Sequence, residues 1–201
     1  MKRSLLLAVV MLMLLAPPAG AVQLVNPDGS VAQPYQAWAD ASRVPLVSET
    51  VVVKNDALIC AEFVACATPA VDTNSCPSYA TCVVWPDSQT HATVWLTDPA
   101  RMPVSPKIML HELGHLYDHS MPEWKRQVFR RIVRLPNLPW RIEQPHTAPS
   151  LSEIWAEVYA ECAVLRRAQD VLLSEVTTAD RSHWLIARHL RRVCRLIRQP
   201  N

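Results

Sequence analysis

His111-Glu112-Leu113-Gly114-His115 reads H-E-x-x-H. On a helix, residues i and i+4 stand one turn apart on the same face. Both imidazoles then point one way, with the glutamate beside whatever they hold. That is how one helix supplies two zinc ligands and the base that activates a water. The plain alternative is an amphipathic helix whose two histidines serve packing or solvent. The metal reading makes a further demand: a third ligand elsewhere in the chain, brought to this helix by the fold.

The flanking residues support a helix from Lys107 to His119. Ser105 is a ready N-cap, and Pro106 suits the first helical position. Ser120-Met121-Pro122-Glu123 has capping-box chemistry and predicts a second helix to about Leu135. Pro136 to Pro149 reads as a proline-rich loop that Trp140 would anchor. Helices are then expected from Ser150 to Leu173 and from Thr178 to Arg198. Upstream, Gln33 to Arg43 reads as a short helix. Glu49 to Lys54 and His91 to Thr97 read as strands, from their β-branched content.

The third zinc ligand is not in the next turn. A glycine and a third histidine at fixed offsets would mark the metzincin pattern, and those positions hold Asp118 and Met121. His119 lies about two turns, some 12 Å, from His111, too far to share a metal. It reads as a helix-end histidine at the negative end of the dipole. Ser152-Glu153-Ile154-Trp155-Ala156-Glu157-Val158-Tyr159-Ala160-Glu161 offers better candidates. Glu153 and Glu157 lie one turn apart on one face. Glu153 is the expected ligand, and Glu157 the acceptor that fixes a ligand histidine's tautomer. Glu157, Glu161 or an aspartate as ligand stays open, because Ser150-x-x-Glu153 is also a capping box.

His111 to Asp118 followed by Glu153-x-x-Ala156-Glu157-x-Tyr159-Ala160 resembles the gluzincin type of zinc metallopeptidase. It is similar to small secreted bacterial proteins with an HELGH helix and a late E-x-x-A-E-x-Y-A helix. The resemblance covers about Thr93 to Cys162. It implies an α+β, zincin-like fold: a small mixed sheet, an active-site helix and C-terminal helices, stapled by disulfides. It also implies an edge strand above the cleft that holds extended substrate by strand addition, and His91 to Thr97 is placed to be that strand.

The ends and the cysteines bound the setting. Lys2 and Arg3, the apolar run Ser4 to Leu15, Pro17-Pro18 and Ala19-Gly20-Ala21 form the pattern of a cleaved signal peptide, residues 1–21. Residues 22–201 are then a single domain, secreted or periplasmic. Loss of Lys2 and Arg3 from 20 basic residues leaves 18 against 18 acids. Global attraction to nucleic acid or to acidic lipid is therefore not expected. No second apolar run is long enough for a membrane span. Six cysteines in an exported chain favour disulfides. Cys60–Cys82 and Cys66–Cys76 are symmetric about one centre, as facing positions of a hairpin over Ala57 to Ala67 and Tyr79 to Trp85 would be. Cys162–Cys194 follows by elimination. Pairing 60–66 with 76–82 stays open.

The expected chemistry is hydrolysis of a peptide or protein by one Zn2+ held by His111, His115 and Glu153, with Glu112 as general base. Tyr117 and Tyr159 fall off the ligand faces and read as packing residues. His146 is the candidate donor to the oxyanion. Gly114 is expected where another element approaches closely. Two other readings remain: a zinc amidase acting on cell-wall peptides, and a non-catalytic exported zinc-binding domain. The last needs no base, which the chain nevertheless carries at Glu112. The arginines of the last helix read as a solvated face, with a membrane-surface or nucleic-acid helix as the alternative. Oligomeric state is not legible.

Overall fold

A computed structural model describes residues 22–47, 49–55, 65–68, 91–96, 104–140, 150–165, 171–178 and 181–201. These build a mixed fold of helices and strands. Strands β1 (Gln23–Val25), β2 (Thr50–Asn55), β3 (Ala65–Thr68) and β4 (Ala92–Leu96) form one sheet in the order β1-β2-β4-β3. β1, β2 and β4 are parallel, and β3 runs antiparallel to β4, with Ala65 facing Leu96 and Thr68 facing Thr93.

All five residues of β4 are buried. A strand covered on both faces needs no polar alternation, and Ala-Thr-Val-Trp-Leu has none. The expected edge strand is therefore an interior one. β4 bonds to β2 on one side and β3 on the other, and β3 closes that side of the sheet among the described residues. Of the expected hairpin partners, β3 holds Cys66 and pairs with β4. Cys60, Cys76 and Cys82 lie outside the described residues, as do the signal segment and His146.

Helix α1 is Tyr35–Asp40. Helix α2, Pro106–His119, carries the motif; Ser105 Oγ accepts the Ile108 N–H at 3.3 Å, and proline fills the first position. Helix α3 is Glu123–Val133. The expected capping box at its start does not form. Ser120 instead bonds back to the Tyr117 carbonyl, by its N–H at 3.2 Å and its hydroxyl at 3.1 Å. Pro122 directly precedes α3, so Ser120 ends one helix rather than opening the next. Helix α4 is Leu151–Val164, capped by Ser150 Oγ on the Glu153 N–H.

The two long C-terminal helices of the sequence reading are corrected. α4 stops at Val164, and Leu165 turns extended. Strands β5 (Val171–Thr178) and β6 (Arg181–Leu185) form an antiparallel pair with Val171 facing Leu185. Helix α5 is only Ala187–Arg198. Val171, Val176, Thr177 and Thr178 are β-branched, and this preference prevails over leucines whose spacing suits either period. The Cys162–Cys194 disulfide joins α4 to α5, as expected.

α2 and α4 pack in direct contact. A Cβ built on Gly114 would sit 3.1 Å from the Ala156 Cα and 3.1 Å from Tyr159 Cδ1. Neither neighbour can yield easily. One is backbone, and the other is a fully buried ring whose hydroxyl donates to the Pro45 carbonyl. Gly114→Ala is therefore expected to lower stability by about 1 kcal/mol, even after the helix-propensity gain, and Gly114→Val by roughly 3 kcal/mol. Thermal unfolding checks this; an unchanged midpoint in both variants would mean that the helices do not touch here.

Candidate metal centre

His111 and His115 leave α2 on one face, and Glu153 comes from the first turn of α4. Their atoms form a nearly equilateral triangle. His111 Nε2 and His115 Nε2 are 3.1 Å apart, and Glu153 Oε2 is 3.3 Å from each. Tetrahedral ligands at about 2.05 Å from one ion stand about 3.3 Å apart. The triangle therefore has the edge lengths that a small divalent cation requires, and these three residues could hold a metal ion. Their side chains are 22%, 20% and 41% exposed, so the triad opens to solvent.

Ser150 accepts the backbone N–H of Glu153, while the Glu153 carboxylate turns toward the histidines. Burial by itself would raise the Glu153 carboxyl. Hydrogen bonds from His111 and His115, and then their charge, outweigh it and hold the group well below the usual carboxylate range. Glu112 behaves oppositely. It is buried between the two histidines in sequence, and loss of hydration pushes its carboxyl up to about 7. The charge of His111 opposes the shift and that of Glu153 adds to it. Two carboxyls at one site are thus driven apart, one held as an anion and one raised to near neutrality.

The support behind the histidines was not foreseen. His115 Nδ1 lies 3.4 Å from Ser152 Oγ, which donates to Asp118 Oδ2 at 3.0 Å. A hydroxyl that donates to a carboxylate has lone pairs left for an imidazole N–H. With a metal in the triangle, His115 would carry its proton on Nδ1, toward Ser152, and turn a bare Nε2 inward. Asp118 is fully buried and also accepts from the Trp140 indole at 2.8 Å and from Arg126 Nε at 3.4 Å. The residue that breaks the metzincin pattern is thus a hub joining α2, α3, α4 and the loop anchored by Trp140. Ser152→Ala and Asp118→Asn are expected to weaken metal binding at the triangle roughly ten- to hundredfold, read by competition with a chromophoric chelator.

The remaining candidates sort by position. Glu157 is buried one turn beyond Glu153, but the position behind His115 is held by Ser152. Glu161 pairs with Lys107 rather than joining the triad. His119 is exposed in the last turn of α2. Tyr117, about 200° around the helix from His115, is buried; its hydroxyl bonds the Ile197 carbonyl and accepts from Lys125 Nζ at 3.0 Å. Tyr117, Phe129, Trp140, Trp155 and Tyr159 form one aromatic cluster, so both tyrosines are packing residues. A sequence reader could have found Asp118 and Ser152 from their spacing to His115 and Glu153, one helix turn or less from each.

The chain gives no match to protein-family models, to curated proteins or to solved structures.

Proposed function

We propose that this protein is an exported zinc-dependent peptidase of zincin-like architecture, with His111, His115 and Glu153 as ligands and Glu112 as general base. The observation that carries the reading is the open His/His/Glu triangle with the buried Glu112 carboxyl, raised toward neutrality, in the same turn of α2. A structural zinc site uses four protein ligands and no base. Here the metal-ligating group comprises three residues among those described, and it faces solvent.

Zinc held by His111, His115 and Glu153 would supply Lewis acidity. The chain's own residues do the rest. Glu112 takes the proton of the attacking water and delivers it to the departing amine, so the nitrogen leaves neutral. Glu153 stays anionic and supplies the third corner of the triangle. Ser152 and Asp118 keep His115 in the tautomer that presents Nε2. β3 replaces β4 as the strand suited to substrate addition, since it closes the sheet among the described residues and α2 packs against it. The N-terminal pattern of residues 1–21 and the Cys162–Cys194 bridge support export to an oxidising compartment.

The test is metal analysis joined to a cleavage screen. Purified protein is expected to hold one zinc per chain. It should cleave members of an unbiased peptide library, lose that activity to a chelator and regain it with added zinc. Full zinc occupancy with no cleavage of peptides or of cell-wall peptide bridges would favour the binding-domain reading instead.

A further inference from the structure

α3 and α5 lie side by side and leave a cleft of about 570 Å³ between them. Its floor is apolar, from Val128 and Ile132 on α3 and Leu196 on α5, and its rim carries Arg131, Arg192 and Arg195. All three arginines are exposed. Among the described residues none of them meets a carboxylate; the contact of Arg195 is to the Arg191 carbonyl. α5 reads Ala-Arg-His-Leu-Arg-Arg-Val-Cys-Arg-Leu-Ile-Arg and contains no acid. The only acid of α3, Glu123, stands by Arg126 at the far end of the helix. The whole chain has a formal net charge of only +2, so this positive field is local. His189, on α5, registers it: desolvation and then the charges of Arg134, Arg188 and Arg192 hold its imidazole below the usual range.

The apolar stripe does not end at the cleft. Trp124, Val128, Arg131 and Ile132 fall within about 100° of one another on α3. Trp124 is 45% exposed, one of the few large apolar side chains of the described residues that stays in solvent. Exposed tryptophan, unpaired arginines and an apolar floor on one face are the parts of a bilayer-interface surface. Guanidinium forks match phosphate oxygens, and the floor matches the hydrocarbon that follows a lipid headgroup. A nucleic acid or an acidic peptide would satisfy the arginines and leave the floor uncovered. The volume is in the range that encloses one small ligand. Tyr117 projects from the side of α2 away from the ligand face and, with Lys125 of α3, ties α2 to the end of α5, so this surface and the metal triad do not share residues.

We propose that the α3–α5 cleft is a docking site for the phosphate headgroup of an anionic phospholipid, and that it holds the protein at a membrane surface without insertion. The reading is independent of the zinc chemistry. The probe is the full chain with vesicles of phosphatidylglycerol and phosphatidylcholine, followed by co-sedimentation. Binding is expected to the anionic vesicles and not to phosphatidylcholine alone, and to weaken steeply with salt. The variant Arg131→Gln/Arg192→Gln/Arg195→Gln is expected to lose roughly fivefold per arginine, about a hundredfold in all, with unchanged unfolding midpoint and zinc content. Trp124→Phe should remove much of the blue shift in fluorescence on vesicle addition. Equal binding to neutral vesicles, or full binding by the triple variant, would overturn the proposal. So would displacement by millimolar inorganic phosphate, which would mark a free-anion site, or by an RNA oligonucleotide, which would mark a nucleic-acid surface.

Discussion

Glu112→Gln is expected to reduce peptide hydrolysis by roughly a thousandfold, within the range that general bases contribute, while zinc stays at one per chain. The amide matches the carboxylate in size, so the α2–α4 packing should survive. It cannot take a proton from water, and that is the one property that the proposed reaction requires of this side chain. The three ligands are untouched. The diagnostic is the split: zinc retained by metal analysis, turnover lost in the library assay. Activity within a fewfold of wild type would remove Glu112 from the reaction, and loss of zinc with activity would make its role structural.

Glu153→Ala is expected to weaken zinc binding by more than about a hundredfold, beyond what loss of an outer-shell partner costs. Glu153 Oε2 is equidistant from the two imidazole nitrogens, 3.3 Å from each, so its removal takes away a whole corner of the triangle. Glu161→Ala is the control. That residue pairs with Lys107, and its loss should leave zinc affinity near wild type. Glu157→Ala separates the remaining alternative on the same helix. Equal loss in Glu161→Ala, or loss in Glu157→Ala alone, would sink the assignment of the third ligand. An affinity titration reads all three variants, with no reliance on turnover.

The helix around His111 was legible because local rules agree there. A serine cap, a proline at the first position and an apolar face all point to one structure, and the helix begins at Pro106. Glu153 was legible for a related reason: the i, i+4 carboxylates lie within one short, capped helix. Local rules conflicted at the C-terminal end. Leu172, Leu173 and Leu185 suit a helix face as well as a strand. The β-branched residues beside them, together with the pairing of 171–178 against 181–185, decide for strands. His91 to Thr97 was legible as a strand, but its rank in the sheet was not. Edge or interior depends on whether another strand arrives from elsewhere, and β3 does.

By itself the sequence determined which residues are candidates for the site: two histidines and a glutamate on one turn, with carboxylates on a later helix. Helical periodicity fixes those relations with no help from the rest of the chain. Only the tertiary structure decided that Glu153 rather than Glu161 completes the triangle, because Glu161 meets Lys107 where α2 and α4 pack. It also decided that Asp118 and Ser152 stand behind His115, and that arginines from two helices face one cleft. Each of these depends on how close two helices come. In α2 and α4 that distance is set by a missing side chain at Gly114, against the backbone of Ala156.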